Sequence, residues 1–176
     1  SQIMEFEGML QIRDLNENKD LGLSSSIEMT LPPHSAKVLL VKGKRIEPHR
    51  YEAEWGYCPD FTAIRSTGVK YVPMDGASCG AVAMNLGGSS TNCLEWDNIY
   101  SRRGGIYEIK VRVLPQSITS FELAANGVNY KLCTKAVGMQ PVDLAVKVNL
   151  KKGDNVICLS GTEKLPPIDC ITLERL

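Results

Sequence analysis

The chain has no surplus of either charge: its 176 residues carry 20 basic and 20 acidic side chains. Binding a phosphate backbone or an anionic membrane surface takes excess cations, so nucleic acid is a poor candidate partner and a neutral molecule a better one. No apolar run approaches the roughly 20 residues needed to cross a bilayer, and Ser1 is not followed by the basic and apolar regions of a signal peptide. The expectation is a soluble chain without membrane insertion, a processed or trimmed product. Histidine is scarce, since His34 and His49 are the only two and both precede the cysteine-bearing region. No CxxC spacing occurs either, which disfavours zinc. HExxH and P-loop patterns are absent, as are internal repeats and long runs of helical periodicity. What remains is a chain better suited to binding than to chemistry.

Hydrophobic residues make up 43% of the sequence, which is ordinary for one large or two small globular domains. Six cysteines (Cys58, Cys79, Cys93, Cys133, Cys158 and Cys170) all fall in the second part of the chain. An even number suits an exported, disulfide-bearing domain, and free cysteines packed as small apolar residues suit the sequence equally.

The first part suggests three strands, over 3–15, 26–31 and 36–41, broken by the turn-rich 16–20 and by Pro32-Pro33-His34. Three strands in about 45 residues form at most a partial sheet with edges left to be covered. Polar residues 42–50 read as a connection, which places terminal strands over 1–46 and a second domain over 47–176. That second domain has strand candidates at 51–54, 81–84, 93–99, 105–114, 120–125, 130–134, 142–150, 154–160 and 168–174. Many short strands at regular spacing predict an all-β antiparallel sandwich. Alternation is clearest where Tyr107, Ile109, Val111 and Val113 share one face and Glu108, Lys110 and Arg112 the other. Asn126-Gly127 is a hairpin turn signal, and Trp96 alternates with Leu94 toward the core.

Glu52 and Glu54 would share one face of a strand, about 7 Å apart along the chain, so that both could converge on one hard cation. The plain alternative is the solvated face of an edge strand. Trp55, Tyr57 and Phe61 follow, as a displaced aromatic platform or as packing. No convergent acidic pair asks for glycosidase chemistry, so no catalytic residue is expected.

The ordered fragments Tyr51-Glu52-Ala53-Glu54, Asn85-Leu86-Gly87-Gly88, Leu94-Glu95-Trp96-Asp97-Asn98-Ile99, Lys151-Lys152-Gly153-Asp154 and Ile168-Asp169-Cys170-Ile171 resemble the carbohydrate-binding modules of families 35 and 6. The resemblance implies a jelly-roll sandwich that binds an oligo- or polysaccharide. It also implies structural calcium held by Glu52, Glu54 and Asp169, with backbone carbonyls near 75–78 completing the shell. The sugar cleft it implies lies among loops 85–92, 136–141 and 161–166, with Asn92, Gln140, Glu163 and Lys164 as hydrogen-bonding residues and Met139 or Leu165 as apolar surface. Here the chain departs from the pattern, for none of these loops contains Trp, Tyr or Phe. Ile12-Arg13-Asp14-Leu15 and Leu31-Pro32-Pro33-His34 resemble the closing strands of the C-terminal β-domain in family 27 glycoside hydrolases, the α-galactosidase group. This implies an upstream glycosidase catalytic domain, galactose-containing targets and a secreted, periplasmic or cell-surface location. The competing expectation is a structural or interaction sandwich of the same enzyme with no sugar affinity.

Overall fold

The structure, a computed structural model, describes residues 5–59, 68–89, 91–135, 138 and 140–176. The chain divides into two compact units, Met4–Glu47 and Pro48–Leu176. Thirteen strands, all paired antiparallel, and a single 3-10 turn make up the regular structure of the described residues. The expected all-β architecture is therefore what the chain adopts.

In the first unit, β1 (Phe6–Asp14) lies between β2 (Lys19–Ser24) and β3 (Leu39–Arg45). The expected strand over 26–31 is not formed, and β2 takes its place. The reason is local: Asp14 Oδ1 accepts the backbone N–H groups of Asn16 (2.9 Å) and Glu17 (3.0 Å), so the chain reverses at once. Residues 42–45, expected in the connection, instead continue β3 and pair with β1, their polar side chains suiting an exposed sheet face. Ile12 is the one buried apolar side chain among the described residues of this unit, while Met9, Leu21, Leu23, Val38 and Leu40 are exposed.

The second unit is a sandwich. One sheet has the order β10 (Val128–Cys133), β9 (Ser120–Ala125), β12 (Gly153–Ser160), β7 (Leu94–Ser101). The other runs β11 (Val142–Leu150), β8 (Gly105–Val113), β13 (Ile168–Arg175), β6 (Ala81–Met84), β5 (Lys70–Pro73), with β4 (Arg50–Glu52) also paired to β13. Nine expected strands are present within a few residues, and β5, short and half-buried, is the one the pattern did not offer. Tyr107, Ile109, Val111 and Val113 are buried as their alternation requires, and pack with Leu94, Trp96, Ile157 and Leu159 in one core. Asn126 (φ 49°) and Gly127 (φ 84°) both take the left-handed conformation that a two-residue hairpin between β9 and β10 demands. Buried Asn155 binds the Lys151 N–H and the Lys151 and Gly153 carbonyls, and accepts a bond from Asn126, so one side chain holds two turns together.

Candidate functional site

The sandwich's first and last strands lie side by side, with Glu52 opposite Cys170 and Tyr51 opposite Ile171. The Trp96 indole N–H donates to the Glu52 carbonyl (2.9 Å) and fixes β4 against the core. A register irregularity in β13 between Ile168 and Cys170 turns Asp169 inward beside Glu52. Both carboxylates are fully buried. Glu54 departs from expectation: β4 ends at Glu52 and Glu54 sits in a 3-10 turn over Ala53–Trp55, closed by the Gly56 N–H on the Ala53 carbonyl. The two glutamates therefore do not share a strand face. The charges of Glu52 and Asp169 act on Glu54, but its carboxylate is not among the ligand atoms that gather within 4.8 Å of one another.

The partners within this cluster are incomplete. Ser78 donates its hydroxyl to Glu52, and both its hydroxyl and backbone N–H to Asp169 Oδ1 (2.9 Å each). The segment expected to offer carbonyls thus reaches the site through Ser78. Glu52 Oε1 and Glu54 Oε2 are buried with no hydrogen bond. Two half-exposed guanidiniums approach from the rim: Arg50 Nε stands 2.7 Å from Glu52 Oε1 and Arg112 Nε 3.9 Å from Asp169 Oδ2. Arg112 Nε makes no hydrogen bond. Burial, opposed by its own backbone N–H and reinforced by Glu52 and Asp169, pushes the Glu54 carboxyl above its ordinary value. Two facing carboxylates, a third nearby and a buried Glu54 Oε2 that makes no hydrogen bond suit a hard cation.

Cys170 adds an atom that no sequence pattern singles out. Its Sγ and one carboxylate oxygen each from Glu52 and Asp169 lie within 4.8 Å of one another. Burial pushes the thiol up to about 11, so at neutral pH it is an S–H, a poor ligand for a hard ion. The oxygen set is what suits calcium.

The second candidate region is the loop end of the sandwich. Gly88 N–H is shared by the carbonyls of Gly161 and Glu163 (3.1 Å each), and Leu165 N–H donates to Leu86 (2.9 Å), so loops 85–92 and 161–166 form one rim. Gly87, at φ +84°, allows this closeness: a Cβ there would stand 2.2 Å from the Glu163 carbonyl oxygen. Asn92 donates its amide to the carbonyls of Asn85 and Gly87 (2.8 Å each), leaving its Oδ1 unengaged. Glu163 and Lys164 are exposed on the rim, whereas Leu165, expected as apolar surface, is buried in the core. No bond joins Gln140 to this rim among the described residues, and Met139 and Phe61 lie outside them. Tyr57 is exposed and Trp55 half-buried.

Beside the rim, on the four-stranded sheet, is a cavity of about 360 Å3 lined by Ser120, Phe121, Glu122, Lys131, Ser160, Gly161 and Thr162. Lys131 and Ser160 flank Glu122 in register across three strands, which sets an ammonium, a carboxylate and a hydroxyl in a row. Phe121 is buried and offers no open ring face. Alternation in β9 and β10 places these residues on an outer face, but only the pairing register, invisible in a single sequence, brings them together.

No protein-family model matches the chain, and no curated protein matches it in sequence. Solved structures do. A family 35 carbohydrate-binding module from Clostridium thermocellum has a TM-score of 0.60 at 21% identity over 70% of this chain and 96% of the module. A second module of that family, from Cellvibrio japonicus, has a TM-score of 0.52 at 20% identity over 68% and 87%. An exo-β-1,3-galactanase from Phanerochaete chrysosporium has a TM-score of 0.61 at 20% identity, covering 74% of this chain but 30% of the enzyme. At these identities the likeness is one of architecture, and the chain carries the fold of family 35 carbohydrate-binding modules.

Proposed function

We propose that the sandwich is a non-catalytic carbohydrate-binding module. The observation that carries this reading is the cavity of Glu122, Lys131, Ser120, Ser160 and Thr162 beside the stitched loop rim. Alternating hydroxyls and opposite charges can donate to and accept from sugar hydroxyls, and the fold is one that such modules use. Glu163 and Lys164 extend the polar surface along the rim, and Asn92 holds the rim's shape through its amide. Affinity electrophoresis with galactose-containing polysaccharides tests the reading: retardation that Lys131→Ala and Glu122→Ala each reduce supports it. Uniform mobility across glucans, galactans and mannans favours a structural sandwich with no sugar affinity, a reading supported by the buried ring of Phe121.

The same proposal gives Glu52, Glu54 and Asp169 a structural calcium ion. Bound there, the ion supplies charge neutralisation that lets three carboxylates stay together. Ser78 orients Glu52 and Asp169, and Trp96 fixes the backbone of Glu52. A melting temperature that rises with calcium and falls with chelator supports this; one indifferent to both refutes it.

The first unit fits the closing strands of a larger β-domain, that of an α-galactosidase-like enzyme whose catalytic domain lies upstream and which the module would hold at galactose-containing polymers. Its single buried apolar residue and nine exposed large ones, among the described residues, support that reading, because so small a sheet cannot close a core alone. A recombinant Met4–Glu47 segment should show the amide exchange of an unfolded peptide. A cooperatively folded one would count against it.

A further inference from the structure

Four strands form the outer edges of the sandwich's two sheets, β10 and β7 of one and β11 and β5 of the other. β7 is partly covered, because Glu95 bridges to Tyr57, and β10 and β5 have only six and four residues. β11 is nine residues long, contains no proline, and pairs with β8 along its whole length without a bulge. Among the described residues no strand takes up its other edge. Its outward row of backbone N–H and C=O groups is therefore a template for one more strand.

We propose that β11 is a self-association edge, pairing antiparallel with β11 of a second copy of this chain about a two-fold axis at Ala145. Asp143, Ala145 and Lys147 are exposed on the outer face of the strand, whereas Val142, Leu144 and Val146 are half-buried against the core. Pairing centred on Ala145 sets Asp143 opposite the partner's Lys147, twice by symmetry, and Leu144 opposite the partner's Val146. Each charge already has an opposite one behind it: Arg112 Nε stands 3.7 Å from Asp143 Oδ1, and Glu108 lies across from Lys147 in β8. Arg112, Asp143, the partner's Lys147 and the partner's Glu108 then make one row of alternating sign across four strands. Identical residues must meet on the axis, and Ala145 brings no charge there. Other registers fit worse: centres at Asp143 or Lys147 oppose like charges, and centres at Leu144 or Val146 leave both charges unmatched across the seam. A slip by one residue turns the polar face of one chain onto the apolar face of the other.

Sedimentation equilibrium of the whole chain over a concentration series tests this, with a reversible monomer–dimer equilibrium expected. Lys147→Asp and Asp143→Lys each set like charges opposite one another, twice per dimer, and each should weaken self-association about tenfold. Mixed in equal amounts, the two variants should recover the native affinity as a heterodimer, because only the mixed pair matches opposite charges again. That recovery also separates a lost interface from a lost fold, since a misfolded variant could not regain it. A native chain still monomeric at about 1 mM, a dimer indifferent to both reversals, or a mixture no tighter than either variant alone would each overturn the proposal.

Discussion

Asp14 in the first unit and Glu52 with Asp169 in the sandwich are all buried carboxylates, and their surroundings are opposite. Asp14 is satisfied by its own chain: Lys37 donates to Oδ2 while Asn16 and Glu17 donate to Oδ1. The bond from Lys37, with those backbone N–H groups, holds its carboxyl below the ordinary range. The sandwich cluster has three carboxylates, one arginine close to Glu52, a second 3.9 Å from Asp169, and a buried Glu54 oxygen with no hydrogen bond. A carboxylate with its partners in place is a finished structural device. A group of them without enough partners leaves room for something the chain does not encode.

The largest expected effect breaks that contrast. At calcium a hundredfold above its dissociation constant, the sandwich should gain about 2.7 kcal/mol. Asp169→Asn should remove nearly all of the gain, whereas Asp14→Asn should leave it intact. Calorimetric melts with and without chelator read both, and an equal response in the two variants would dissolve the distinction between the two settings.

Next in size is Gly87→Ala. The substitution forces a Cβ against the Glu163 carbonyl and strains a positive φ, which should cost about 2 kcal/mol. Urea melts measure that cost. Affinity electrophoresis should show glycan retention falling with it, since loops 85–92 and 161–166 can no longer meet, while the calcium response persists. Loss of calcium binding in this variant would mean that the loop rim and the acidic cluster are not independent.

Strand alternation made most of the sandwich legible in the sequence: the inward run from Tyr107 to Val113, Trp96, and the Asn126-Gly127 turn are all where period two and turn chemistry put them. The weaker places were those governed by single side chains. Asp14 ends its turn early and moves β2 upstream, and Glu54 leaves the strand because the chain tightens into a 3-10 turn after Glu52. Asp169 was legible as a partner of Glu52 through the resemblance, and Ser78 only as part of its segment. Cys170, Arg50 and Arg112 were not, because their approach depends on which strands neighbour β13. The row of Lys131, Glu122 and Ser160 depends likewise on pairing register.

The pH response sharpens the contrast with a smaller effect. Asp14 has a lowered carboxyl, so its stabilisation is present above its ordinary value of 3.8 and is lost as pH falls through its folded value. Glu54 has a raised one: without calcium, the stability favouring its protonated form is present below 4.5 and is lost as pH rises through its folded value. The two slopes have opposite sign. Glu54→Gln should flatten the second and leave the first, as read from melts in chelator across pH 3 to 7.

The smallest effect compares the ion pairs of the two settings. Lys37 touches both Asp14 and Glu17, whereas Arg50 is half-exposed and meets Glu52 without a hydrogen bond. Such a pair contributes about 0.5 kcal/mol or less, so Arg50→Gln should barely move the melt in chelator. Removing a positive charge beside the orphaned oxygens should at the same time strengthen calcium binding, by about threefold to tenfold, because the arginine competes for the same carboxylate. Titration calorimetry reads the affinity directly. If Arg50→Gln weakened calcium binding, Arg50 would be a support for the cluster, and the sandwich carboxylates would be as self-sufficient as Asp14.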